Sequence, residues 1–212
     1  MTTMLVAAAL ALTPSPDAGA RAPNAEATAA VLSAFKAYQA ALLRKDGPAC
    51  ARLVDSATLA YYQRMRDLAL TGRAAEIKKL PMLDKVMIVR MRHQVPVAEI
   101  KQMDGGRMLG YGVSQGWIGD KVAQAVFGDI DVNGDVASGA FMIDGKPTST
   151  RMGLRNERGA WRINLLSVFP ASNFLFKKLK KESGKSEDDF ILSLVGSLAG
   201  SPVPDTIWNP PK

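Results

Sequence analysis

Between Val126 and Phe169 the chain carries four short segments of alternating character, each followed by a turn signal or a change of pattern. A period of two puts residues i and i+2 on one face, so a stretch of this kind is satisfied by an antiparallel meander. In the first segment Val126, Gly128, Ile130 and Val132 alternate with Phe127, Asp129 and Asp131, and Asn133-Gly134 follows. Asn-Gly suits a two-residue type I′ hairpin, because both central residues need positive φ. Val136, Ser138, Ala140 and Met142 then alternate with Ala137, Gly139, Phe141 and Ile143, ahead of Asp144-Gly145, a second turn by the same logic. The third segment runs from about Thr148 to Asn156, with Thr148, Thr150, Met152 and Leu154 on one face and Arg151 and Arg155 on the other. The run Asn156-Glu157-Arg158-Gly159 predicts a longer hairpin. Trp161, Ile163 and Leu165 alternate with Arg162, Asn164 and Leu166 in the last strand. Such patterning predicts a sheet wetted on one face and covered on the other by helices from upstream.

Those helices announce themselves by caps and breakers. Asn24 is placed as the N-cap of a run in which Val31, Phe35, Tyr38 and Leu42 recur at helical spacing. Asp46-Gly47-Pro48 ends that helix and starts a short one carrying Cys50, Leu53 and Val54. Asp55-Ser56 caps a third, with Leu59, Tyr62, Met65 and Leu68 to Leu70, stopped by Thr71-Gly72. Pro81 opens a helix to about His93 with Leu83, Met87 and Met91 in one stripe, and Pro96 opens a shorter one, Val97 to Met103. Asp104-Gly105-Gly106 reads as a break, and a further helix is predicted from Arg107 to Trp117. Beyond the strands, Ala171 to Lys181 is amphipathic, and Ser186 caps Glu187 to Leu198. Phe174 and Phe176 read as core residues, and Ile207 and Trp208 as anchors that hold the Pro-rich tail on the body.

The predicted fold is α+β: a curved four-stranded antiparallel meander packed against N-terminal helices, with two C-terminal helices. At 212 residues, without repeat or linker, the chain fits a single domain over 21–212, with a helical insertion over about 61–119 and a C-terminal helical extension over 170–199. Met4 to Leu12 is an apolar run too short to span a bilayer, followed by a turn-rich stretch and Ala18-Gly19-Ala20. Residues 1–20 therefore read as a cleaved signal peptide, although no Lys or Arg precedes the apolar run, and the expected location is periplasmic or secreted.

The net charge of +7 favours anionic partners. The basic run Lys177, Lys178, Lys180, Lys181 is the segment suited to an anionic surface, where each lysine contributes about 1 kcal/mol. Nucleic acid is not expected, since exposed aromatics do not interleave with the basic residues. A single cysteine, Cys50, excludes an internal disulfide and reads as a buried, inert thiol. A single histidine, His93, rules out multi-histidine metal sites, and no metal or cofactor is expected. No GxSxG, P-loop or GxGxxG occurs.

The first helix, ending in Lys45-Asp46-Gly47-Pro48-Ala49, and the hairpin Arg155-Asn156-Glu157-Arg158-Gly159-Ala160-Trp161-Arg162-Ile163 together resemble the nuclear-transport-factor-two-like superfamily, which includes ketosteroid isomerases and SnoaL-type cyclases. The likeness covers about residues 25–168 and implies a cone-shaped α+β fold with a sheltered pocket. It does not imply one activity, because enzymes, carriers and scaffolds share that fold. The order of Trp161 to Phe169 followed by two helices is also similar to periplasmic phospholipid carriers of the toluene-tolerance type.

Three functions follow as expectations. The first is an exported, non-catalytic binding protein holding an apolar small molecule or lipid between sheet and helices. Its wall would draw on Phe127, Phe141, Met142, Met152, Leu154, Trp161 and Ile163, with Met87 and Met91 as adaptable filler. The second is an envelope interaction or scaffold protein with a filled core. The third is a small isomerase or lyase using a Tyr/Asp pair drawn from residues such as Tyr38, Tyr61 and Tyr62. Asp129 and Asp131 read as solvent-facing, and no catalytic residue is assigned.

Overall fold

Aspartates placed ahead of apolar runs start three helices of the first half. Asp46, Asp55 and Asp104 each accept a hydrogen bond from a backbone N–H three residues on, at Ala49, Thr58 and Arg107. The computed structural model describes residues 21–118, 122, 125–143 and 146–211. The expected signal peptide, 1–20, and the Asp144-Gly145 turn lie outside the described residues. Among the described residues the helices ahead of the sheet are α1 (Arg21–Leu43), α2 (Gly47–Leu53), α3 (Ser56–Thr71), α4 (Ala74–Ile77), α5 (Met82–Gln94), α6 (Val97–Gln102) and α7 (Gly105–Ser114). The strands β1 (Val126–Asn133), β2 (Val136–Ile143), β3 (Lys146–Glu157) and β4 (Ala160–Asn164) follow, then α8 (Phe169–Ser183) and α9 (Glu187–Ala199). The strands pair antiparallel in chain order, so the fold is the α+β meander expected.

Several local expectations are corrected. Asn24 lies within α1 and not ahead of it. Gly105 and Gly106 do not break the chain but form the first turn of α7, because Asp104 caps that helix. The β1–β2 turn is centred on Gly134-Asp135, one residue later than Asn133-Gly134. Asn133 pairs with Val136, and only Gly134 takes positive φ, the pattern of a type II′ turn with glycine first. The β3–β4 connection is not a longer loop: Glu157 pairs with Ala160, and Arg158 and Gly159 both have positive φ, the type I′ geometry. The last strand stops at Asn164, and Leu165–Val168 forms a 3-10 turn.

Alternation along β1 is broken by a bulge. The register with β2 shifts between Gly128 and Ile130, and Asp129 takes φ 47°. The extra residue lets Phe127 face the core together with Ile130 and Val132, which strict alternation would put on the other face. A second irregularity falls between Ala140 and Met142, where β2 meets β3. Bulges bend strands, and the sheet curves until α1 packs on both its first and last strands. The Gln39 amide ties α1 to the approach of β1, donating to the Val122 and Ala125 carbonyls. The β4 edge is covered by Val54, which bridges to Ile163, and by the Asp55 N–H, which donates to the Ile163 carbonyl.

Helix α5 is buried nearly all round, not along one stripe: Val86, Ile88, Val89 and Met91 are buried, whereas Leu83 and Met87 are half-buried. Its main partners are α3, α8 and α9. Arg92 on α5 binds the C-terminal end of α3, donating to the Leu68, Ala69 and Gly72 carbonyls, and its Nη1 donates to the Ile207 carbonyl. With Trp208 4% exposed, that bond fastens the tail on the body as expected.

Candidate functional site

Position on strands determines which of the nine expected wall residues meet. Phe127, Phe141, Met152, Leu154 and Ile163 lie on the concave face under α1, following the pairs Phe127 with Phe141 and Leu154 with Ile163. Met152, Leu154 and Ile163 are fully buried, Phe127 is nearly so, and Trp161 and Phe141 are half-buried against the same core. Met142 falls on the opposite face from Phe141, and its side chain lies beside Gly128. Met87 and Met91 are carried away from the sheet by α5. The concave face is occupied by the chain's own rings. Phe35 stacks on Phe127 with centroids 4.1 Å apart and planes at 15°, and Phe141 closes the group at 6.1 and 6.4 Å from the two. None of the nine lines any of the four open clefts described, which measure about 620, 1140, 550 and 460 Å³.

The sequence offers Tyr61 as a candidate phenol but gives no sign of its partner, Asp84, on another helix. The Tyr61 hydroxyl donates to Asp84 Oδ1 at 2.8 Å, between α3 and α5. Burial raises the Asp84 carboxyl above the usual carboxylate range, while the Tyr61 hydrogen bond and Arg64 pull it back. Burial, then the Asp84 carboxylate, pushes the Tyr61 phenol far up. The Tyr61 ring packs edge-on against Tyr62 and against Phe169 at the start of α8. Neither residue lines one of the four described clefts, and the pair links α3 to α5 and, through the Tyr61 ring, to Phe169 at the start of α8. Only tertiary packing brings residues 61 and 84 together.

Tyr38 and Tyr62, the other phenols considered, are buried, and burial raises both far above the ordinary range. The Tyr38 hydroxyl has no hydrogen-bond partner among the described residues. Asp129 and Asp131 are solvent-facing, at 2.8 and 2.6 Å from the Arg151 guanidinium. His93 meets the Ser201 hydroxyl at 3.0 Å, tying the end of α5 to the tail. Cys50 is fully buried, and burial pushes its thiol up to about 11, so little thiolate forms at neutral pH.

The exterior differs from expectation at α8. Phe174 is not core: it is 72% exposed, beside Leu175 at 50% and Leu179 at 40%. No residue of α8 is fully buried. The helix rests on the body through half-buried Phe169, Asn173 and Phe176, and the Leu83 N–H donates to Asn173 Oδ1. Lys177, Lys178 and Lys181 are exposed around Phe174, and Lys180 is half-buried. The three large apolar side chains and these ammonium groups thus share one outward surface. No helix among the described residues is long and apolar enough to cross a membrane. Compared with known proteins, the chain matches no family model, no curated protein and no solved structure.

Proposed function

We propose that this chain is a non-catalytic interaction protein of the cell envelope, exported by its N-terminal segment, that docks on an anionic lipid surface through the outward side of α8. The observation that carries this reading is Phe174, a large apolar side chain left 72% exposed amid lysines. Full burial of such a side chain is worth about 1.5–3 kcal/mol, and a helix that leaves three of them in water has a reason to find an apolar partner. Lysines around them select a negatively charged partner, and a bilayer interface supplies both properties at once. Phe174, Leu175 and Leu179 together would contribute about 3 kcal/mol on half-burial. Each exposed lysine would add about 1 kcal/mol near anionic headgroups. The resulting attachment is peripheral, reversible and salt-sensitive. The Phe35, Phe127 and Phe141 cluster favours this filled-core reading over the carrier, because it occupies the space a ligand would take.

The test is sedimentation with phosphatidylcholine vesicles, with and without phosphatidylglycerol. Expected is binding that requires phosphatidylglycerol and is lost when Phe174→Ser is combined with Leu175→Ser. It should weaken roughly fivefold for each of Lys177→Gln, Lys178→Gln and Lys181→Gln. Failure to sediment, together with a dimer that Phe174→Ser dissociates, would assign the surface to a second copy of the chain and overturn the membrane reading.

A further inference from the structure

We propose that the cleft between α2, the start of α3 and the β3–β4 hairpin is a binding site for a small soluble ligand carrying two or more phosphate or carboxylate groups. The cleft measures about 1140 Å³ and is lined by Arg52, Arg158 and Arg162, with Leu53, Val54 and Leu59 among its apolar lining. Three arginines reach this lining from three different elements: a short helix, a turn and an edge strand. Guanidinium presents parallel N–H donors that match the paired oxygens of phosphate and carboxylate.

Among the described residues one carboxylate, that of Glu157, is in the lining, and it is already engaged. Glu157 turns onto α3, accepting from the Ser56 N–H at 3.0 and 3.2 Å and from the Ser56 hydroxyl at 2.7 Å. Its negative charge is therefore shared between the start of that helix and the nearby Arg162 and Arg155 guanidinium groups. Among the described residues, Arg52 and Arg158 make no side-chain hydrogen bond or ion pair, and Arg162 uses only Nη1, to the Arg52 carbonyl. That bond fixes the Arg162 guanidinium at the cleft and leaves its other donors for a ligand.

Arg158 occupies a position that structure alone would give to another residue. It is the first residue of a type I′ turn, with φ 55°, where Asn, Asp or Gly fits with less strain. Arg158 thus combines positive φ with a place in the cleft's lining, a local backbone cost of the kind that clusters at binding sites.

The position offers a clean experiment. Arg158→Gly suits the turn, so the fold is retained or gains stability, while one third of the cleft's positive charge is removed. Isothermal titration with inorganic pyrophosphate and with citrate is expected to show saturable binding to the wild type, about tenfold weaker in Arg158→Gly and in Arg52→Gln. No saturable binding up to millimolar concentrations, or equal affinity in the variants, would overturn the site. Phosphatidylglycerol vesicles form the second arm. Arg158→Gly should sediment with them as the wild type does, since α8 makes that contact. Loss of sedimentation in Arg158→Gly would instead put the cleft on lipid headgroups and overturn the soluble-ligand assignment.

Discussion

Phe35 of α1 stacks face to face on Phe127 of β1, with ring centroids 4.1 Å apart. This contact joins the first helix to the bulged edge strand and fills part of the concave face of the sheet. Truncating Phe127→Ala removes a nearly buried ring from a close-packed interior and is expected to cost about 3–5 kcal/mol, read by urea denaturation. The same variant should gain binding of a small apolar probe such as benzene, followed by NMR. Equal benzene binding by the wild type would show that the space is open without the mutation.

Gly139 of β2 is the seat of that ring. A Cβ at Gly139 would fall 2.2 Å from Cζ of Phe127, so Gly139→Ala must displace the ring or the strand. A loss of about 1–3 kcal/mol is expected. Combining Gly139→Ala with Phe127→Leu should recover part of the loss, because the two side chains compete for one volume. Strict additivity in the double-mutant cycle would contradict the packing described.

Glu157 gives a pH signature. Hydrogen bonds from the Ser56 hydroxyl and N–H hold its carboxyl below the usual glutamate value. A depressed folded value stabilises the protein above the unfolded value, about 4.3, and that contribution is lost as pH falls through the folded value. Glu157→Gln should therefore be less stable than wild type at neutral pH by a few tenths to about 1 kcal/mol, given its partial exposure. The gap should narrow as pH drops below about 4.3. A gap unchanged between neutral and acid pH in thermal unfolding would contradict the charge-assisted contact.

Tyr38 tests the packed helical interior. Its hydroxyl is buried without a partner among the described residues, so Tyr38→Phe removes an uncompensated polar group. The variant is expected to match or exceed wild-type stability, by up to about 1–3 kcal/mol. A loss of stability in thermal denaturation would show that the hydroxyl is satisfied in solution.

The meander was legible because its signals are local: period-two runs and glycine-bearing turns specify strands residue by residue. The turn centres were less legible. Both Asn133-Gly134 and Arg158-Gly159 can supply positive φ, and cross-strand register, a non-local property, decides between one and two such residues. The bulge at Asp129 was hidden for the same reason, since it appears only when Phe127 must join Phe35 while Ile130 stays inside. Phe174 reads as core in the sequence because a phenylalanine in an amphipathic helix is usually buried, and sequence does not say which side of α8 meets the body. The Tyr61–Asp84 bond depends on how α3 and α5 pack, and no spacing along the chain encodes it.

The docking of α8 is tested most directly by a nitroxide label on the Phe174→Cys variant. Cys50 does not compete for the reagent: it is fully buried and its thiol is pushed up to about 11. Electron paramagnetic resonance then reads collisions of the label with oxygen, which concentrates in lipid, and with a water-soluble nickel complex. Adding phosphatidylglycerol vesicles is expected to raise the oxygen collision rate and lower the nickel rate, with no change on pure phosphatidylcholine. Unchanged accessibility to both reagents on phosphatidylglycerol would contradict docking of α8 on anionic lipid.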